Sequence, residues 1–411
     1  MTSETLRIAG ARVLARTALL GPAFVAAVAY VDPGNVATNL TGGARYGYLL
    51  VWVVVAASAM AALVQYLSAK LGVVTGRSLP ELLGARLPTA ARLPFWLQAE
   101  LVAVATDLAE VVGGAIALAL LFDVPLLIGG LITSAVSLLL LAARDHSGQR
   151  AFERVVTGLL LVIACGFVAG LFVEPPSAGA TVRGMVPGFA GSGSVLLAAG
   201  MLGATVMPHV VYLHSALARD RHGVVPAEER EGILSTTRLD IGIAMTLAGA
   251  VNVSMLLLAA SALHGAADTA TIPGAYAEIT HNLGKAVAVL FAVGLLASGF
   301  ASTSVGCYAG AVVMQGLLHK RIPMLVRRVV TAIPALVVIG VGVDPTRALV
   351  VSQVVLSLGI PFALVPLVAY TSRRSVVGDH ANATATTVVA TAVAVAIIAL
   401  NVTLLVVTFA G

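Results

Sequence analysis

Apolar residues fall in long blocks along this chain, and polar residues collect in the short segments between them. A helix needs about 20 predominantly apolar residues to cross the hydrocarbon core of a bilayer. Eleven blocks approach or exceed that length: 18–41, 46–73, 94–121, 125–142, 152–173, 193–217, 239–263, 286–318, 325–342, 347–371 and 385–409. The third and fourth are joined only by Phe122-Asp123-Val124, which predicts a tight helical hairpin. The segment 174–192 is rich in Pro, Gly and Ser and predicts a loop. The pattern predicts an all-α membrane protein of eleven transmembrane helices, with residues 1–411 forming one domain.

Composition reinforces this reading. Of 411 residues, 59% are hydrophobic and 10% charged, with a mean hydropathy of +1.00. A soluble domain is about 25% charged, and a soluble fold this apolar would expose aggregating patches. The formal charge of +5 does not indicate a nucleic-acid partner, because the basic residues sit in loops between apolar blocks. Basic residues favour cytoplasmic loops. With the N-terminus inside, twenty of the 24 fall in inner segments, including Arg7, Arg12, Arg16 and Arg144. Only Arg45, Arg183, Lys285 and Arg347 fall outside. Eleven spans then place the C-terminus outside a cell (plasma or inner) membrane. The first residues show no signal-peptide pattern, so the first span is expected to direct its own insertion. Cys165 and Cys307 both fall in predicted spans and imply no disulfide framework.

Two spans carry helix breakers near their middle. The first contains Asp32-Pro33-Gly34-Asn35, the sixth Met207-Pro208-His209. Proline lacks an N–H and clashes with the preceding turn, and glycine loosens the backbone further. Carbonyls freed at that depth are tolerable only inside protein or beside a wet cavity. The broken spans correspond if residues 18–173 (spans 1–5) and 193–371 (spans 6–10) form two repeats, with 385–409 outside them. Five is odd, so the second repeat enters from the opposite side. Paired interruptions in inverted repeats point to a transporter's binding site. Pro334 and Pro361, lacking such partners, read as simple kinks.

The residues at the breaks suggest a ligand. Asp32 supplies an anionic oxygen, Asn35 an amide oxygen, and carbonyls freed near Ala29 and Ala204 supply more. Met207 adds a thioether. Calcium and magnesium prefer all-oxygen sites, whereas a thioether suits borderline ions such as manganese(II), iron(II), cobalt(II) or cadmium(II).

Asp-Pro-Gly-Asn in span 1 and Ala-Thr-Val-Met-Pro-His in span 6 resemble the signatures of the Nramp family of divalent metal transporters. The likeness runs from Gly21-Pro22-Ala23-Phe24 to Ser352-Gln353-Val354-Val355-Leu356. It implies a LeuT-like inverted-repeat fold and a monomeric secondary transporter that imports manganese and iron with protons. It implies metal contacts from Asp32, Asn35 and Met207, and in some states from the Ala29 and Ala204 carbonyls and Gln353. The methionine places the chain with the transition-metal branch of that family.

Span 3 carries Glu100, Asp107 and Glu110. At 3.6 residues per turn the last two lie roughly 20° and 80° from the first, so all three share one face. Arg327 and Arg328 open span 9 and are candidate partners. Intramembrane charges mark ion or proton paths, and the family resemblance assigns this network, with His209, to proton movement. His214 lies about 140° round the helix from His209, a spacing that suits packing or a gate contact. Asn252 and Asn401 are expected to make interhelical hydrogen bonds. The sequon at Asn382 falls in a predicted cytoplasmic loop and is discounted.

Among rival functions, a sodium-coupled organic-solute symporter of the same fold leaves the aspartate and thioether unexplained. A channel would not need the inverted repeat. No metalloprotease, nucleophile-elbow or phosphate-loop motif suggests an enzyme.

Overall fold

The computed structural model describes residues 21–266, 269 and 271–410, excepting the side chains of 143–147, 324, 325, 404 and 407–410. Arg7, Arg12, Arg16, the first three residues of the first predicted span, the Arg144 side chain and the terminal Gly411 lie outside it. The described chain is helical with no strand. In order the α-helices are α1 Pro22–Ala29, α2 Pro33–Tyr46, α3 Val51–Thr75, α4 Leu79–Arg86, α5 Thr89–Phe122 and α6 Leu126–Ser147. There follow α7 Gln149–Val173, α8 Ala178–Arg183, α9 Gly191–Thr205, α10 Pro208–His222, α11 Ala227–Ala262 and α12 Ile272–Asn282. The last are α13 Lys285–Leu318, α14 Met324–Gly340, α15 Pro345–Thr371, α16 Arg374–Val377 and α17 Thr384–Ala410.

Among the described residues every predicted span lies on helix, and the first and sixth are broken where proline predicts it. Among the described residues eight helical stretches are long and apolar enough to cross a membrane, the first running from Pro33 to Thr75. The apolar part of α6, Leu126–Ala142, is shorter, and α14 has 17 residues. The hairpin after α5 is as tight as expected: Asp123 adopts a left-handed φ of 55° and ends the helix.

Three local corrections share one cause, capping chemistry. The segment read as loop contains α8, where the Ser177 hydroxyl accepts from Ala180 N at 3.3 Å. Helix α4 was not predicted; Ser78 and Glu81 form a reciprocal capping box there. Helix α12 is capped by Thr271. The seventh span begins twelve residues before its apolar block, since α11 continues through Glu228, Glu229, Arg230 and Glu231.

Most of the core is apolar, as in a soluble protein, but here the outer surface is apolar as well. Large apolar side chains such as Leu139, Leu161, Phe172 and Val395 point outward, while Asp32, Asn35, Asp107, Glu110 and His209 are buried. Glycines set the closest helix approaches, as is usual in membranes: a Cβ on Gly299 of α13 would lie 2.9 Å from the Gly114 Cα of α5. Helix α2 packs on α11 and α10 on α3; likewise α5 packs on α15 and α13 on α7. Asn252 and Asn401 bond between helices, Asn252 to the Tyr30 carbonyl at 2.6 Å and Asn401 to that of Ser357 at 2.8 Å. Both cysteines are free.

Candidate metal centre

The first break is a short unwound link between α1 and α2. Tyr30 and Val31 close three-residue turns onto Ala27 and Val28, at 3.0 and 3.1 Å. Asp32 is extended, with φ −71° and ψ 168°, and caps α2 by accepting from Asn35 N at 2.7 Å. The carbonyls released by unwinding find partners across the bundle: Asn252 donates to Tyr30 O, and Ser298 to Val31 O at 2.6 Å. The helical partner of the Ala29 carbonyl would be residue 33, a proline with no N–H.

The second break repeats this logic. The helical partner of the Ala204 carbonyl would be Pro208. Met207 is extended, with φ −66° and ψ 119°, and heads α10 without any side-chain cap. Asn35 joins the two breaks: its Nδ2 donates to Asp32 Oδ1 at 3.0 Å and to Ala204 O at 2.9 Å, and its Oδ1 accepts from Thr205 Oγ1 at 3.3 Å. Gln353 of α15 closes over Gly34, where any Cβ would collide with its side chain. Asp32, Asn35, Met207 and Gln353 all have 0% exposure.

This arrangement favours a cation. One amide nitrogen is shared by a carboxylate and a backbone carbonyl, the electrostatic position a metal ion takes. Asp32 Oδ2 and Gln353 Oε1 are buried with no hydrogen-bond partner; such atoms are rare in native interiors. No group of three or more His, Cys, Asp and Glu is assembled among the described residues. What the two breaks bring together is one carboxylate, the Asn35 amide and the Ala204 carbonyl, with Met207 buried at the head of α10. The orientation of the Asn35 amide follows from its hydrogen bonds, and turning it over would bring Oδ1 to face the same place.

The acids of α5 line up along α13 and α14. Glu100 and Arg327 meet twice, at 2.8 and 3.1 Å. Arg328 Nη1 approaches Asp107 Oδ1 to 3.1 Å without hydrogen-bond alignment, so that contact is purely of charge. Glu110 Oε2 lacks a partner and would lie 2.9 Å from a Cβ on Gly306. His209 Nδ1 is 3.3 Å from Thr106 Oγ1, which links the second break to the turn of α5 carrying Asp107. His209 Nε2 has no partner.

Three features escaped sequence reading. His214 Nδ1 sits 2.6 Å from Gln65 Oε1, and the Gln65 amide donates to the Tyr30 hydroxyl. Asp240 of α11 accepts from Gly21 N at 3.2 Å and Ala23 N at 3.1 Å, capping α1 from far along the chain. Beside it Arg221 and Glu153 pair at 3.2 Å, both almost buried. For Asp240, Arg221 and Glu153 the sequence signal was a charge at a span's edge, where positive-inside residues also belong.

Residues 23–407 match the profile of the Nramp family, described as natural resistance-associated macrophage protein-like. The chain belongs to the Nramp family. MntH, a divalent metal cation transporter of Mycobacterium tuberculosis (strain ATCC 25618 / H37Rv), is 61% identical over 394 residues, 96% of this chain and 92% of the relative. A manganese transporter of Eremococcus coleocola, solved with an aromatic bis-isothiourea substituted compound, superposes with TM-score 0.83 at 32% identity. That match covers 93% of this chain and 84% of the other. MhsT, solved with L-phenylalanine, has TM-score 0.62 at 14% identity, covers 94% and 98% of the two chains, and shows the LeuT-like fold alone. An Nramp protein with these helices is a multi-pass membrane transporter and not an enzyme.

Proposed function

We propose that this Nramp protein imports manganese(II) and iron(II) into the cytoplasm together with protons, by alternating access. Transport of divalent metal cations is the function its family and relatives share. The observation that carries the reading is the Asn35 amide, which draws the Asp32 carboxylate and the Ala204 carbonyl together across two helix breaks in a fully buried site. The Met207 thioether favours manganese and iron over calcium and magnesium. Ala29 and Gln353 complete the set in some states of the cycle.

In this reading eleven spans cross the membrane, with the N-terminus cytoplasmic and the C-terminus outside. Residues 18–173 and 193–371 form the repeats. The exchange of contacts supports this, since α2 on α11 maps to α10 on α3, and α5 on α15 to α13 on α7. Protons leave the site through His209, Glu110, Asp107 and Glu100, with Arg328 and Arg327 holding the acids in line. One chain suffices for the cycle.

The sodium-coupled solute symporter is disfavoured by one contact. In such a site a helix N-terminus holds the substrate carboxylate. Here the Asp32 side chain already takes the N-terminus of α2.

Manganese uptake into proteoliposomes carrying an internal pH dye tests the proposal. Uptake should accelerate at acidic external pH and acidify the lumen, and excess calcium should compete weakly. Uptake independent of pH, with no lumenal acidification, would refute proton coupling.

A further inference from the structure

A crevice runs between α3 and α11 on the outer surface of the bundle, away from the metal centre. At one end it is polar: a cavity of about 380 Å³ lined by Tyr66, Lys70, Glu231, Arg238, Asp379 and neighbours. One helical turn further along both helices it becomes an apolar groove of about 450 Å³, walled by residues such as Ala59, Ala62, Gly242 and Gly249. The helices are antiparallel, so Tyr66 faces Arg238 while Ser58 faces Gly249. The polar cavity and the apolar groove therefore follow one another along the same pair of helices, with the charged mouth on the side that the positive-inside pattern assigns to the cytoplasm.

The mouth holds charges of both signs on fixed supports. Lys70 Nζ donates to the His380 carbonyl at 3.1 Å and to Asn382 Oδ1. An ammonium has three donors, so one remains to point elsewhere. Arg238 bonds the Tyr66 hydroxyl through Nε at 3.1 Å and Glu231 through Nη2 at 3.5 Å, leaving Nη1. Both cations also stand over the Tyr66 ring, at 6.0 and 5.4 Å from its centre. Glu231 and Asp379 share the same mouth. His380 also lines it, its Nδ1 3.9 Å from Glu231 Oε2. The lining thus brings two cations, a histidine and two carboxylates together, a mixed-charge set that suits a phosphate next to a primary ammonium.

The geometry points to a seat for a zwitterionic, amine-bearing glycerophospholipid, its phosphate at Lys70 and Arg238, its ammonium at Glu231 and Asp379, and an acyl chain along the groove past Gly242 and Gly249. An anionic lipid would leave the carboxylates unmatched, and a soluble headgroup would leave the apolar groove unused. A lipid seated there braces α3 against α11, the helices that carry α10 and α2.

Native mass spectrometry of the detergent-purified protein tests this with phosphatidylethanolamine, phosphatidylcholine and phosphatidylglycerol, and with soluble phosphoethanolamine as competitor. Two variants separate head from tail. Arg238→Gln removes one cation. Gly242→Leu fills the groove at a position where an added Cβ meets only open space. One phosphatidylethanolamine should be retained in preference to the other two lipids. Each variant should weaken retention about tenfold, which for Arg238→Gln is the strength of a single charge-assisted hydrogen bond. Size-exclusion profiles and thermal unfolding check that both variants fold. Equal retention of all three lipids, unchanged retention in folded Gly242→Leu, or displacement by millimolar phosphoethanolamine would each overturn the proposal.

Discussion

Asp32→Asn separates the charge of the metal centre from its architecture. Asparagine is as good a helix cap as aspartate, so the bond from Asn35 N and the start of α2 survive. What disappears is the one carboxylate placed at the two breaks. A unit charge and a divalent ion about 4 Å apart attract by roughly 8 kcal/mol at an effective dielectric of 20. Relaxation and the retained amide oxygen offset more than half, leaving about 3–4 kcal/mol, or two to three decades in Kd. The same change relieves a cost in the metal-free protein. Asp32 is wholly buried, and its Oδ2 has no partner. Removing a buried charge that is only partly compensated relieves a desolvation cost. The metal-free variant should therefore melt at or above the wild-type temperature, while the upward shift that manganese produces in the wild type should vanish. Paired thermal unfolding scans with and without manganese, alongside proteoliposome uptake, read both effects. A variant that keeps a metal-induced shift and transports within threefold of wild type would refute the assignment of Asp32 as the charge that holds the ion.

Three further outcomes can be checked. Met207→Ala should keep manganese uptake but let calcium and magnesium compete; an unchanged calcium inhibition curve would remove the thioether as filter. Asp240→Asn weakens a charged acceptor that holds the first N–H groups of α1, at a cost of about 2 kcal/mol. In an Ala26→Cys background labelling should then be up to roughly thirtyfold faster from the cytoplasmic side, and labelling at the unmutated Asp240 rate would show that this cap does not hold α1 closed. Arg328→Met strands Asp107 without its cation and should cost about 3–5 kcal/mol of stability. The double variant Arg328→Met/Asp107→Asn should recover most of that in thermal unfolding, and no recovery would mean the pair is not coupled.

Much of this was legible in the sequence. Lipid imposes long apolar blocks, so span positions could be read from hydropathy alone, and proline marks where a helix must open whatever surrounds it. Asp32 and Asn35 stood out because polar groups are rare at that depth, and Met207 because it sits beside the matching break in the second repeat. Short helices were missed, because α4, α8 and α12 depend on caps in polar segments where no apolar period signals a helix.

The sequence by itself determined the membrane class, the two broken helices and the face of α5 that carries three acids. These follow from local rules: lipid solvation, the missing proline N–H, and helical periodicity. Only the tertiary structure decided the partners. It showed Asn35 bridging Asp32 to Ala204, Arg328 set against Asp107 and Arg327 against Glu100, and Asp240 capping a helix over two hundred residues away in the chain. A buried polar group must find a partner somewhere in the bundle. Which partner it finds depends on how eleven predicted spans pack, and sequence separation carries no record of that.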